Sequence, residues 1–373
     1  MRWLGWGLAA VLIAAGAAQA RSGRVIAFVA NAEGATVSLV DVAARTVLGE
    51  IDVNPAKTKT TQGGTPNYAQ DTDVSPDGRT LYVSRGYMGD VAAFEIATGK
   101  LLWRTTVDPA RADHMTLSAD GKALFVSAYT QRRSKRLDVA TGAITGEVET
   151  GISPHDNRIS KDGKRLFNSS IGNVGLPIDG DAKGQAGPSP FQLTVADTRT
   201  MQVKTRIAFE KGIRPWSLTP DGKGVYAQLS NLHGVIAYDL GARKVVRQLD
   251  LPIGAGVTSK DWVFEAPHHG LALSADGRTL CLAGRASDYA ALVRAPKLTL
   301  IATVAVGDSP GWSEFADHDR VCILANTRSD DISFVSVADR KEIARIHTGD
   351  GPKHISVAQI PDAVVEAFTA AKR

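Results

Sequence analysis

Eight histidines occur in the 373-residue chain, and five of them, His114, His155, His268, His269 and His354, share one context. Each lies just ahead of a short apolar run that enters an Asp-Gly turn or its equivalent. Neutral imidazole is the commonest transition-metal ligand and an axial ligand of haem, so a convergence of such groups has the composition of a metal or cofactor site. Asp156, Arg158, Arg214, Trp312 and Lys353 hold the same or adjoining positions of the pattern. Together with Arg85, Arg132, Arg133 and Arg285 they offer charge-assisted hydrogen bonds to an anionic ligand. The same set also suits a polar, water-lined surface.

Other chemistries are excluded by their own requirements. Gly307-Asp308-Ser309-Pro310-Gly311 satisfies the G-x-S-x-G expression of hydrolases, but the oxyanion hole there needs a backbone N–H on the residue after the serine, and proline has none. The match also coincides with a recurring G-x-x-P loop, seen again as GISPH, GIRPW and GDGPK. No glycine-rich phosphate cradle and no Cys-x-x-Cys-His haem attachment is present, and the histidine spacing is not that of a compact zinc motif.

The elements that must position these residues are repeats. DTDVSPDGRTLYVSRG at 71–86 returns as LSADGKALFVSA, ISKDGKRLFNSS, LTPDGKGVYAQLS and LALSADGRTLCLAG. It then degrades to EFADHDRVCILAN and ends as the half-copy ISVAQIPD. The turn markers fall at 77, 120, 162, 221, 276, 318 and 360, separated by 42 to 59 residues. Seven units of about this period, each with four β runs and no helical periodicity, predict an all-β, seven-bladed β-propeller. Residues 25–53 supply three strands without a first, and 354–358 supply a first strand alone. Their pairing closes the ring and removes an exposed edge. Once the inner strands are aligned on their turns, the five histidines gather at one rim of the central channel.

The composite G-x-x-P, SPDG, LYV and D-x-ATGK resembles the YVTN-type β-propeller repeat proteins over nearly the whole chain after residue 20. The resemblance implies the fold. It extends to the propellers of nitrous oxide reductase and of a haem-binding periplasmic nitrite reductase, where histidines near the channel do cofactor work. Some lactonases are also seven-bladed, and acidic ligands such as Asp71, Asp113 and Asp156 would be required for that chemistry. One propeller scaffold hosts many activities, so the resemblance fixes none.

Residues 1–20, MRWLGWGLAAVLIAAGAAQA, read as a secretory leader cut after Ala20, which points to the periplasm. The domain organisation expected is leader 1–20, propeller 21–360 and a short tail 361–373. A formal charge of +4, one less without Arg2, is too mild for a nucleic-acid binder. Cys281 and Cys322 occupy what reads as the same strand position in adjacent repeats, so their Cα atoms are expected beyond the roughly 7 Å that a disulfide tolerates, leaving two buried free thiols. Three long insertions, 54–69, 173–190 and 252–268, all fall on the histidine face, and Trp262 and Phe264 read as a plug that packs the third onto the rim. Loop growth on one face builds binding surfaces in repeat proteins. The expectation is therefore a monomeric, exported, non-catalytic binding or scaffold module with a protein or small-molecule ligand on that face and no membrane anchor. The alternative is a redox enzyme or cofactor carrier with metal or haem on His114, His155, His268, His269 and His354.

Overall fold

The computed structural model describes residues 23–60, 64–172 and 190–372. The expected leader at 1–20 and nearly all of the second insertion lie outside them. Seven four-stranded antiparallel sheets form the chain. Their inner strands, Asp71–Val74, Ala112–Leu117, Pro154–Ile159, Ile213–Leu218, Leu271–Leu273, Pro310–Ala316 and Pro352–Pro361, pack one against the next until the last meets the first. The molecule is a closed seven-bladed β-propeller.

The recurring S-x-D-G has a physical cause visible in each copy. In blade after blade the Ser or Thr hydroxyl donates to the turn carboxylate, as from Ser118 to Asp120 at 2.6 Å and from Thr219 to Asp221 at 2.6 Å. The carboxylate accepts the backbone N–H two residues on. The hydroxyl oxygen accepts the N–H five residues on, Ala123 and Gly224 in these two copies. A turn so satisfied needs a left-handed residue, which glycine supplies at Gly121 (φ 68°) and Gly222 (φ 66°).

Closure follows the expected route. Pro352–Pro361 pairs antiparallel with Gly23–Asn31, from Gly23 opposite Pro361 to Asn31 opposite Pro352. The tail forms a helix, Asp362–Ala371, whose Val364, Val365 and Phe368 are buried with Ile26, Ile51, Leu81 and Ile360 in one apolar cluster. Among the described residues no helix is long and apolar enough to cross a membrane.

The cysteines correct the sequence reading. Cys281 and Cys322 form a disulfide, with Cα atoms 6.5 Å apart. They are not equivalent positions. Leu280 and Leu282 face the preceding blade, leaving Cys281 to face the next, whereas Ile323 faces the closing blade and Cys322 turns back. A shift of one residue along a strand moves a side chain to the opposite face, and here it sets the two thiols across one seam.

Candidate functional site

Strand alternation alone would let only every second residue of an inner strand reach the channel. The structure departs from that at the rim. Pairing between inner and second strand skips from Ala112 to Met115, from Pro154 to Asn157, and from Ile213 to Trp216. The residues inside the skips are Asp113 and His114, His155 and Asp156, and Arg214 with Pro215. In the closing blade Lys353 is skipped between Pro352 and His354. Bulges re-aim side chains in this way, and they explain how neighbouring positions both turn inward.

The result is a buried cluster. The His114 ring lies 4.6 Å from His155, 5.4 Å from His354 and 4.9 Å from Trp312 by ring centroids. Trp312 and His354 approach to 4.1 Å, and His155 meets His269 edge-on at 5.4 Å. Asp71, which the sequence offered only as a weak acidic candidate, is central. Its carboxylate accepts the Met115 N–H at 2.8 Å and faces His114 Nδ1 at 3.1 Å and His354 Nδ1 at 2.9 Å. His114 Nε2 lies 3.1 Å from the Gln70 amide. Asp71, His114 and His354 each offer one ligand atom within 4.8 Å of the others, as do Asp113, His114 and His155.

His268 is not part of this convergence. It points away from the channel and packs on His233, at 4.5 Å between centroids, with Nε2 3.1 Å from the Tyr289 hydroxyl. His269, one residue on, lines the mouth and donates from Nδ1 to the Gly311 carbonyl at 2.9 Å. Arg158 reaches down the channel to Asp156 at 3.2 Å. Arg85 is held in a buried ion pair with Asp90, and Arg133 lies beside Glu147 and Glu149 away from the rim. Ser309 is buried, left-handed at φ 57°, and donates its backbone N–H to the Asp288 carboxylate, which makes it a loop element.

Above the imidazoles lies a cavity of about 40 Å3 lined by Gln70, Tyr87, Arg111, His155, Arg214, Phe264, His269, Arg285 and Lys353. Phe264 belongs to the third insertion. Its carbonyl accepts from Arg214, but its side chain is largely exposed, so Phe264 does not plug the mouth as the sequence suggested.

No protein-family model matches the chain, and no curated protein matches its sequence. Solved structures do. Hydrazine synthase of Kuenenia stuttgartiensis superposes with a TM-score of 0.66 at 19% identity, covering 88% of this chain and 99% of that one. At this identity the likeness is one of fold.

The electrostatics divide the channel in two. Burial alone would raise the Asp71 carboxyl, but the imidazoles of His354 and His114 outweigh it and hold the group far below the usual carboxylate range. Lower in the wall, burial raises Glu314 to about 7, with Arg158 offsetting only part. Burial and the nearby Asp71 charge raise Asp73 to about 6. At the mouth the order reverses: burial lowers Lys353 to about 7, and Arg214 and Arg285 to about 10. His155 and His269 are kept neutral by burial, reinforced by neighbouring positive charge.

Glu314 gives a pH prediction. Its folded value lies above the ordinary 4.5, so between 4.5 and about 7 the folded chain binds more protons than the unfolded one. Stability from this group therefore falls as pH rises through that window. Urea midpoints of the wild type and Glu314→Gln, measured at pH 5 and pH 8, should show the variant gaining relative to the wild type at pH 8.

Proposed function

We propose that the protein is an exported propeller that binds a small ligand in the channel mouth without transforming it. The observation that carries this is the small, partly open cavity lined by the bulged residues His155, Arg214 and Lys353 of three blades, with Phe264 of an insertion at its edge. Such convergent polar lining around a concave site is what small-ligand recognition requires. Among the described residues no serine, threonine or cysteine hydroxyl or thiol is hydrogen-bonded to the clustered imidazoles, so a nucleophile–base pair does not support a hydrolytic reading. Export is supported by the leader-like segment 1–20 and by the Cys281–Cys322 disulfide, since such bonds persist in oxidising compartments.

A second reading, a metal centre, is favoured by one particular. His354 Nδ1 lies 2.9 Å from an Asp71 oxygen, yet its direction makes no hydrogen bond. A nitrogen and an oxygen about 3 Å apart with lone pairs aimed elsewhere suit two ligands of one cation. Asp71, His114 and His354 would hold it. A haem macrocycle does not fit a cavity of about 40 Å3 between these side chains.

One preparation separates the readings. Untagged protein is assayed for bound metal, then screened by saturation-transfer NMR against small neutral, cationic and anionic compounds. The binding reading expects hits lost in Arg214→Ala with no stoichiometric metal. Stoichiometric metal that disappears in the His114→Ala/His354→Ala double variant favours the second reading. Absence of any hit and any metal overturns both.

A further inference from the structure

Four cationic side chains, Arg111, Arg214, Arg285 and Lys353, line the cavity at the channel mouth. They come from different blades, so no local sequence feature forces them together. Arg111 is matched by Asp113 at 2.9 Å. Among the described residues no carboxylate lies within ion-pair distance of the other three. Arg214 spends Nε on the Ser230 hydroxyl at 2.9 Å and one terminal nitrogen on the Phe264 carbonyl. Both are neutral acceptors. Arg285 Nε is buried with no acceptor at all, and so are Arg111 Nε and His155 Nδ1 at the same cavity.

Buried charge is normally paired, because removing an ion from water costs several kcal/mol unless an opposite charge or hydrogen bonds offset it. Among the described residues the fold sets three cations without an ion-pair partner around one small space, Arg214 buried and Arg285 and Lys353 half-buried, and Asp113, Glu33 and Glu265 oppose Arg214 and Lys353 only from a distance. The cations are also oriented. The Arg111 guanidinium lies over the Tyr129 ring at 4.5 Å and the Tyr87 ring at 5.8 Å, which fixes its plane. The floor is neutral imidazole from His155 and His269, the latter fixed by its Nδ1–H donated to the Gly311 carbonyl.

We infer that the ligand of the channel mouth is a small oxyanion, held between Arg214, Arg285 and Lys353 with His155 beneath. This rests on the binding reading above and names the ligand's chemical class. The volume limits its size. A cavity of about 40 Å3 admits roughly three waters, which corresponds to an oxyanion of about three or four non-hydrogen atoms rather than a nucleotide or a sugar phosphate. Guanidinium forks match planar oxygen pairs through two parallel N–H···O bonds, so a carboxylate or a nitrogen oxyanion suits the lining better than a spherical halide.

The test is thermal unfolding and calorimetry of the full chain with sodium formate, nitrite, nitrate and chloride, beside acetamide and methylammonium. One of the oxyanions should bind one-to-one and raise Tm as its concentration rises, as any ligand specific to the folded state does. Chloride should do so at least tenfold less effectively. Lys353→Met and Arg285→Met should each weaken that binding at least tenfold. Because each removes a half-buried cation that has no ion-pair partner among the described residues, both should unfold no earlier than the wild type in anion-free buffer, a result that misfolding would not give. Oxyanion binding that survives both substitutions overturns the assignment. Binding of acetamide or methylammonium instead overturns the anion class while the binding reading stands. No binding by any probe removes both.

Discussion

A chain ending before residue 352 is expected not to fold. The strand Pro352–Pro361 is the inner strand of the blade that Gly23–Asn31 begins, and it fills the gap between the inner strands at Pro310–Ala316 and Asp71–Val74. Its loss leaves Gly23–Asn31 a long strand edge without its hydrogen-bonded neighbour and removes the packing between the two adjoining blades. It also removes Ile355 from one apolar cluster and Ile360, Val364, Val365 and Phe368 from another. Far-UV circular dichroism and size-exclusion chromatography of the truncated protein should show loss of the β signal and aggregation. A soluble, cooperatively unfolding product would show that six blades suffice. A gentler change measures the helix alone: Phe368 is fully buried, so Phe368→Ala should cost about 3–5 kcal/mol by urea titration.

The second large effect is expected at Asp71. This carboxylate answers a buried backbone N–H and stands against two buried imidazoles. Removing one partner of a buried charged group costs about 3–5 kcal/mol, so Asp71→Ala should fall by that order at pH 7, and Asp71→Asn, which keeps an acceptor for Met115, by less. The sign with pH is definite. The folded value is depressed below the ordinary 3.8, so the contribution is fully present above pH 3.8 and fades as pH falls through the folded value. Urea midpoints of wild type and Asp71→Ala should therefore converge below pH 3.8. A gap that stays constant from pH 7 to pH 3 would mean that Asp71 acts by packing and not by charge.

The architecture was legible because it is written in repetition. The S/T-x-D-G turn is a local hydrogen-bonded unit, and five copies, a degenerate sixth and a closing half-copy, with one blade split between the ends, leave few arrangements besides a closed ring. The gathering of His114, His155, His269 and His354 could likewise be read by aligning turns. What that alignment could not show is the skipped pairing at the rim, because a bulge depends on how two strands meet and leaves no fixed signature in either. His268 was placed beside His269 on spacing alone, whereas the chain there turns it toward His233 and Tyr289. Asp71 was undervalued for a related reason: one aspartate in a repeat rich in aspartates is distinguished only by the imidazoles that two other blades bring to it. The cysteines were misjudged through register: TLCLAG and RVCILA look like the same strand, whereas the turn markers at 276 and 318 lie five residues before Cys281 and four before Cys322, which puts the two thiols on opposite faces.

The pairing of Gly23 with Pro361 has a practical consequence. His354 is at the mouth, and the strand that carries it runs to the opposite end of the channel before reaching Pro361. A handle attached ahead of Gly23 would thus leave from the far side of the ring. Anchored on a sensor chip there, the protein would present its arginine-lined opening to the flowing solution.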